Sequence, residues 1–145
     1  MASLGRLALG CLVISALLQN GSCSTEFGGA NVVHLTSTDF DEQTGDGSLW
    51  FIKFYAPWCG HCKRLAGTWK DLGDEFKDKP DVNIAHVDCT TDKEVCSKAQ
   101  VKGYPTLKLF FGGEEQRAYK GQREIGAFKK FLDEEYSSLM SETKS

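Results

Sequence analysis

No stretch of this sequence is apolar for long enough to span a bilayer as a helix. That takes about 20 residues, and the longest apolar run, Leu7 to Leu18, has 12. Positive charge is not in excess either: 17 Lys and Arg stand against 20 Asp and Glu, the two signs interleaved along the chain. With no basic stripe, a nucleic-acid-binding face is excluded. There is no internal repeat and no low-complexity tract, which excludes solenoids and disordered tails. Six cysteines are too few for a disulfide-stapled miniprotein. What is present, 145 residues with 41% hydrophobic and 26% charged, describes one globular domain.

Residues 1–24 read as a signal peptide. Arg6 precedes the apolar run, and the small residues Gly21, Ser22 and Ser24 surround a cleavage point. The alternative, an uncleaved anchor, has a run too short to span. The glycosylation sequon Asn20-Gly21-Ser22 falls inside the removed segment and carries no weight. Cleavage leaves residues 25–145, with 16 basic against 20 acidic residues, a net charge of about −4. It also removes Cys11 and Cys23. Cys59, Cys62, Cys89 and Cys96 remain, an even number in a chain bound for an oxidising compartment.

Along this chain, a polar Gly-rich start at 25–30 precedes a short strand at Asn31–Leu35 and a capped helix start at Thr36–Glu42. Leu49–Tyr55, apolar without alternation except at Lys53, suits a central strand covered on both faces. From Gly60 the spacing turns helical, with Cys62, Leu65, Ala66, Trp69, Leu72 and Phe76 on one face. Val82–Val87 is a strand, and Thr91–Glu94 has the form of a capping box. Thr106–Phe111 and Glu115–Lys120 flank a Gly112-Gly113 hairpin turn, and Ile125, Phe128, Leu132 and Leu139 mark a last amphipathic helix. The pattern predicts an α/β fold, a mixed sheet with helices on both faces.

Trp58-Cys59-Gly60-His61-Cys62 falls where the central strand passes into the long helix. A sulfur there caps a helix N-terminus, whose unpaired N–H groups and dipole favour the thiolate. His61, when protonated, adds positive charge between the sulfurs and favours the reduced form, which makes the disulfide a better oxidant. Cys62, on the core-facing stripe, suits a resolving thiol. A structural zinc site would need further ligands, and Cys89, Cys96, His34 and His86 lack the tight spacing one expects. A purely structural Cys59–Cys62 bond would close too short a loop to add much stability. Cys89 and Cys96 stand across a strand end and the next helix. A structural disulfide, two free buried thiols and a second redox pair all remain open for them.

Phe54-Tyr55-Ala56-Pro57-Trp58-Cys59-Gly60-His61-Cys62-Lys63, with Val101-Lys102-Gly103-Tyr104-Pro105-Thr106 about 40 residues on, resembles a catalytic domain of the protein disulfide isomerase family. Val87-Asp88-Cys89-Thr90 and Cys96 resemble its endoplasmic reticulum thioredoxin-domain members. The resemblance runs from about Asn31 to Leu139 and implies a thioredoxin fold. It implies that Cys59 is the exposed nucleophile, Cys62 the resolving thiol, and Tyr104-Pro105 a cis bond facing the sulfurs. Substrate peptide would pair beside Pro105 and rest on Trp58 and Tyr104. Arg123 falls where the family has an arginine that assists the resolving cysteine.

Two departures stand out. Many relatives carry a buried carboxylate six residues before the first active-site cysteine, where this chain has Lys53; the usual partner of that carboxylate, commonly lysine, is His86. Either neutral base could take the Cys62 proton, or Lys53 merely packs its stem. Gly67 replaces a helix-kinking proline.

The expectation is a thiol–disulfide oxidoreductase and isomerase, a monomer with no cofactor, no metal and no membrane anchor after cleavage. It would act on unfolded or misfolded secretory proteins in the endoplasmic reticulum lumen and be recharged by a thiol oxidase or glutathione. The rivals are a thioredoxin-like reductase and a redox-inert chaperone or docking module. Ser141-Glu142-Thr143-Lys144-Ser145 is not a retrieval tetrapeptide, and secretion, retention by a partner and a truncated gene model all fit that ending.

Overall fold

The apolar run Leu49–Tyr55 cannot leave either face in water, and the fold gives it cover on both. In the computed structural model, which describes residues 27–145, this run is β2 (Leu49–Tyr55), buried at every position. The expected signal peptide, with Cys11 and Cys23, lies outside the described residues. β2 pairs in parallel with β3 (Val82–Asp88), which pairs in parallel with β1 (Val33–His34). On its other side β2 pairs antiparallel with β4 (Thr106–Phe111), and β4 with β5 (Glu114–Ala118). The order across the sheet is β1-β3-β2-β4-β5.

Side chains alternate along β2, so Leu49, Phe51 and Lys53 face one way and Trp50, Ile52 and Phe54 the other. The first face packs on α2 (Gly60–Glu75) and α4 (Ile125–Thr143), through Leu65, Trp69, Leu72, Phe128 and Leu132. The second packs on α1 (Phe40–Thr44) and α3 (Lys93–Lys98), through Phe40, Val95 and the nearby Ala99. Phe51 anchors the first layer, its ring 4.9 Å from Trp69 and 5.6 Å from Phe128. Each such ring contributes about 2 to 3 kcal/mol on leaving water.

Local interactions moved several expected boundaries. β1 is two residues long because only Val33 and His34 find ladder partners, Ala85 and His86. Thr36–Asp39 form a turn, in which the Asp39 carboxylate accepts the Thr36 N–H at 2.7 Å, and α1 starts only at Phe40. The capping box at Thr91–Glu94 does not form. Asp92 holds the N-cap of α3 without a side-chain cap bond, and its carboxylate instead accepts the Ser37 N–H at 2.9 Å. The Gly112-Gly113 turn has φ of +60° and +80°, the left-handed region where glycine is favoured, and β5 spans Glu114–Ala118 rather than Glu115–Lys120.

α2 runs uninterrupted through Gly67, where an added Cβ would meet no atom within 4 Å. Gly67→Ala is therefore expected to stabilise the fold by about 1 kcal/mol, read as a higher urea midpoint at unchanged slope. Gly73 is the opposite case. A Cβ there would fall 2.6 Å from the Asn31 carbonyl, so the close approach of α2 to the chain before β1 needs a glycine.

Candidate active site

β2 delivers the chain at Tyr55 into a turn, closed where the Cys59 N–H donates to the Ala56 carbonyl at 3.1 Å. Cys59 is the N-cap of α2, with extended backbone (φ −78°, ψ 121°), and Cys62 lies in the first turn on its inner face. Both are free thiols. Cys59 is 8% exposed and Cys62 0%. The first cysteine is thus less open than the resemblance implied, because the Tyr104 loop covers it: its thiol lies 3.5 Å from the Tyr104 carbonyl. The Tyr104-Pro105 bond is cis. Trp58, 70% exposed, meets the Tyr104 ring edge-on at 5.8 Å and leaves an aromatic rim beside the sulfur.

The two thiols are driven apart electrostatically. Burial pushes the Cys59 thiol up, but the Cys62 thiol, the backbone N–H groups of Cys62 and His61, and the charge of Arg123 together bring it below the ordinary cysteine value. Burial raises Cys62 to about 11, and the hydrogen bond with Cys59 adds to the rise. Such an arrangement can hold one sulfur as a reactive thiolate and keep the other protonated in reserve. Arg123 is exposed and sits just ahead of α4.

His61 meets Arg64 one turn along α2. Its Nδ1 lies 2.6 Å from Arg64 Nη2, and a guanidinium has only donors to offer. Nδ1 is therefore the acceptor in this contact. Arg64 was not among the expected site residues. Its i, i+3 spacing from His61 was the available signal.

Lys53 and His86 are register partners on adjacent strands, both buried on the α2 face. Lys53 Nζ lies 5.3 Å from the centre of the Tyr55 ring, 5.7 Å from Trp69 and 5.8 Å from Phe27. His86 stacks on Tyr55 and meets His34 edge-on at 4.9 Å. Burial lowers Lys53 to about 8 and His86 to about 3. Phe27 lies in the polar Gly-rich start and carried no expected role, yet its ring stacks on Tyr55 at 4.8 Å.

Cys89 and Cys96 are bonded to each other, with Cα atoms 5.7 Å apart. The bond ties the end of β3 to α3 on the second face of the sheet, among Leu35, Phe54 and Val95.

A family model described as Thioredoxin matches residues 31–134. The chain belongs to the thioredoxin family. Within it, the chain is 42% identical over 108 residues to protein disulfide isomerase-like 5-1 of Oryza sativa subsp. japonica, covering 74% of each sequence. It is 40% identical over 107 residues to protein disulfide-isomerase 5-1 of Arabidopsis thaliana, covering 73% of each. Human ERp44, in a structure described as its zinc-bound form, superposes with a TM-score of 0.68 at 28% identity over 72% of this chain. The chain spans only 30% of that structure's length. These relatives place it among the disulfide isomerase-like oxidoreductases of the thioredoxin family.

Proposed function

We propose that the chain catalyses thiol–disulfide exchange on folding secretory proteins in the lumen of the endoplasmic reticulum, as both oxidase and isomerase. The observation that carries this is the pair of free thiols at the start of α2: Cys59 at the N-cap, 3.5 Å from the Tyr104 carbonyl of the cis Tyr104-Pro105 loop, and Cys62 fully buried in the first turn. The Cys59 thiolate attacks a wrong disulfide and forms a mixed disulfide; Cys62 then displaces the substrate sulfur. In the oxidising direction the Cys59–Cys62 disulfide takes two electrons from a substrate dithiol. Trp58 and Tyr104 hold unfolded chain by an apolar edge that demands little sequence, and the backbone beside Pro105 pairs with it. Arg123 assists the sulfurs by its charge. No cofactor is required, since a thiol oxidase or glutathione returns the site to its disulfide. In this reading residues 1–24 are removed, 25–145 act as one domain, and Cys89–Cys96 is structural.

Refolding of scrambled ribonuclease in a glutathione buffer tests the reading. The expected result is recovery of nuclease activity well above the glutathione background. Suppressed aggregation with no gain over that background would replace the reading with a redox-inert binding module.

A further inference from the structure

Among the described residues, two buried side-chain polar atoms have no hydrogen-bond partner, Lys53 Nζ and His86 Nδ1, and the two residues are neighbours across β2 and β3. Lys108, the other buried lysine of the sheet, shows the ordinary solution: its Nζ donates to the Ala99 carbonyl at 2.6 Å and to Glu115 at 2.5 Å. Lys53 has no such escape, since it is 0% exposed and three rings surround its nitrogen. An unpaired buried amine is costly enough to need an explanation.

The rings locate its purpose. Phe27 and Tyr55, which flank Nζ, pack in one cluster with Cys59 and Cys62, and Trp69 comes from the same helix that carries both sulfurs. The nitrogen therefore occupies the apolar compartment beneath the redox turn. The titratable groups that face it are Cys62 from α2, Tyr55 from its own strand and His86 from β3. Beyond these, His34 on β1 touches His86, while the charges of Asp88 and Asp92 reach Tyr55.

We propose that Lys53 is the proton carrier for Cys62. The proposal rests on the exchange reaction above. As Cys62 attacks the Cys59–substrate disulfide, its S–H proton passes to the neutral Lys53 amine. The Cys59–Cys62 bond forms, the Cys59–substrate bond breaks, and the substrate sulfur leaves with the electron pair. Lys53 then releases the proton to solvent. In the opposite direction Cys62 is the leaving sulfur, and the Lys53 ammonium protonates it. No outside oxidant enters either half. A value of about 8 places Lys53 near the working pH, where a general base is most effective, and burial keeps His86 neutral beside it, so it adds no competing charge.

The test is a single turnover of the reduced protein with oxidised glutathione, followed by acid quench and mass spectrometry of the Cys59–glutathione adduct. In the wild type, adduct decay should accelerate with pH through about 8 as Lys53 loses its proton. Lys53→Met should form the adduct at a near wild-type rate, resolve it about tenfold or more slowly, and lose that inflection. Lys53→Glu, which puts a different proton acceptor at the same position, should recover resolution. If Lys53→Met resolves the adduct at the wild-type rate and with the same pH profile, the proposal fails and exchange stands. Equal slowing of formation and resolution would mean a packing role only and also overturns it. A wild type that forms no adduct overturns both the proposal and the exchange reaction.

Discussion

Cys59→Ser should lower ribonuclease reactivation by about a thousandfold or more, to the glutathione background, because no other sulfur of the site can begin the reaction. Cys62 is fully buried and held at about 11, so near neutral pH it is almost entirely thiol. Cys62→Ser should fail differently. It keeps the helix N-terminus and a hydroxyl beside Cys59, so the nucleophile still reacts, but nothing displaces the substrate. Mixed disulfides with client protein should then accumulate and be visible on non-reducing gels. Brief alkylation of the reduced wild type near neutral pH should likewise label Cys59 ahead of Cys62. Equal labelling of the two would contradict the electrostatic separation.

Lys53→Met is expected to stabilise the fold by about 3 kcal/mol at pH 7. Lys53 falls from an ordinary 10.5 to about 8 in the folded protein, and each unit is worth about 1.4 kcal/mol. The folded pKa lies below the unfolded one, so between pH 8 and 10.5 the unfolded chain binds more protons and stability rises with pH. Below pH 8 the full cost of the buried ammonium is present. The advantage of methionine should therefore be complete at pH 7 and fade above pH 8. His86 adds an acid limb: with a folded value near 3 against 6.5, its neutral ring makes stability fall as pH drops below 6.5. Urea midpoints at several pH values check both, and equal midpoints for the variant and wild type at pH 7 would contradict the assignment of a costly buried charge. The chain retains a lysine that weakens its fold, which is intelligible if the amine serves Cys62.

The parts legible in the sequence were those set by long-period apolar patterning and by motifs. Leu49–Tyr55 and Thr106–Phe111 match β2 and β4 residue for residue, because seven and six consecutive residues of burial demand leave little choice of register. The helix from Gly60 followed for the same reason, although Ala66 is only partly buried. Short elements were read poorly. β1 and α1 are decided by single contacts, a two-residue ladder and an Asp39 turn, which no periodicity encodes. At the site, the Cys-x-x-Cys turn was readable because strand and helix patterns meet there. The Arg64 grip on His61 and the Phe27 ring over Lys53 were not, since each joins side chains whose meeting depends on rotamers and tertiary packing.

On the proposed function four cysteines form two pairs with different work: Cys59 and Cys62 exchange, while Cys89 and Cys96 hold structure. Equilibrating the folded protein across a series of glutathione redox buffers, then alkylating and mapping each cysteine, tests it most directly. Cys59 and Cys62 are expected to titrate together between thiol and disulfide across the series, while Cys89 and Cys96 stay bonded throughout. Free thiols appearing first at Cys89 and Cys96, with Cys59 and Cys62 unresponsive to the buffer, would contradict it.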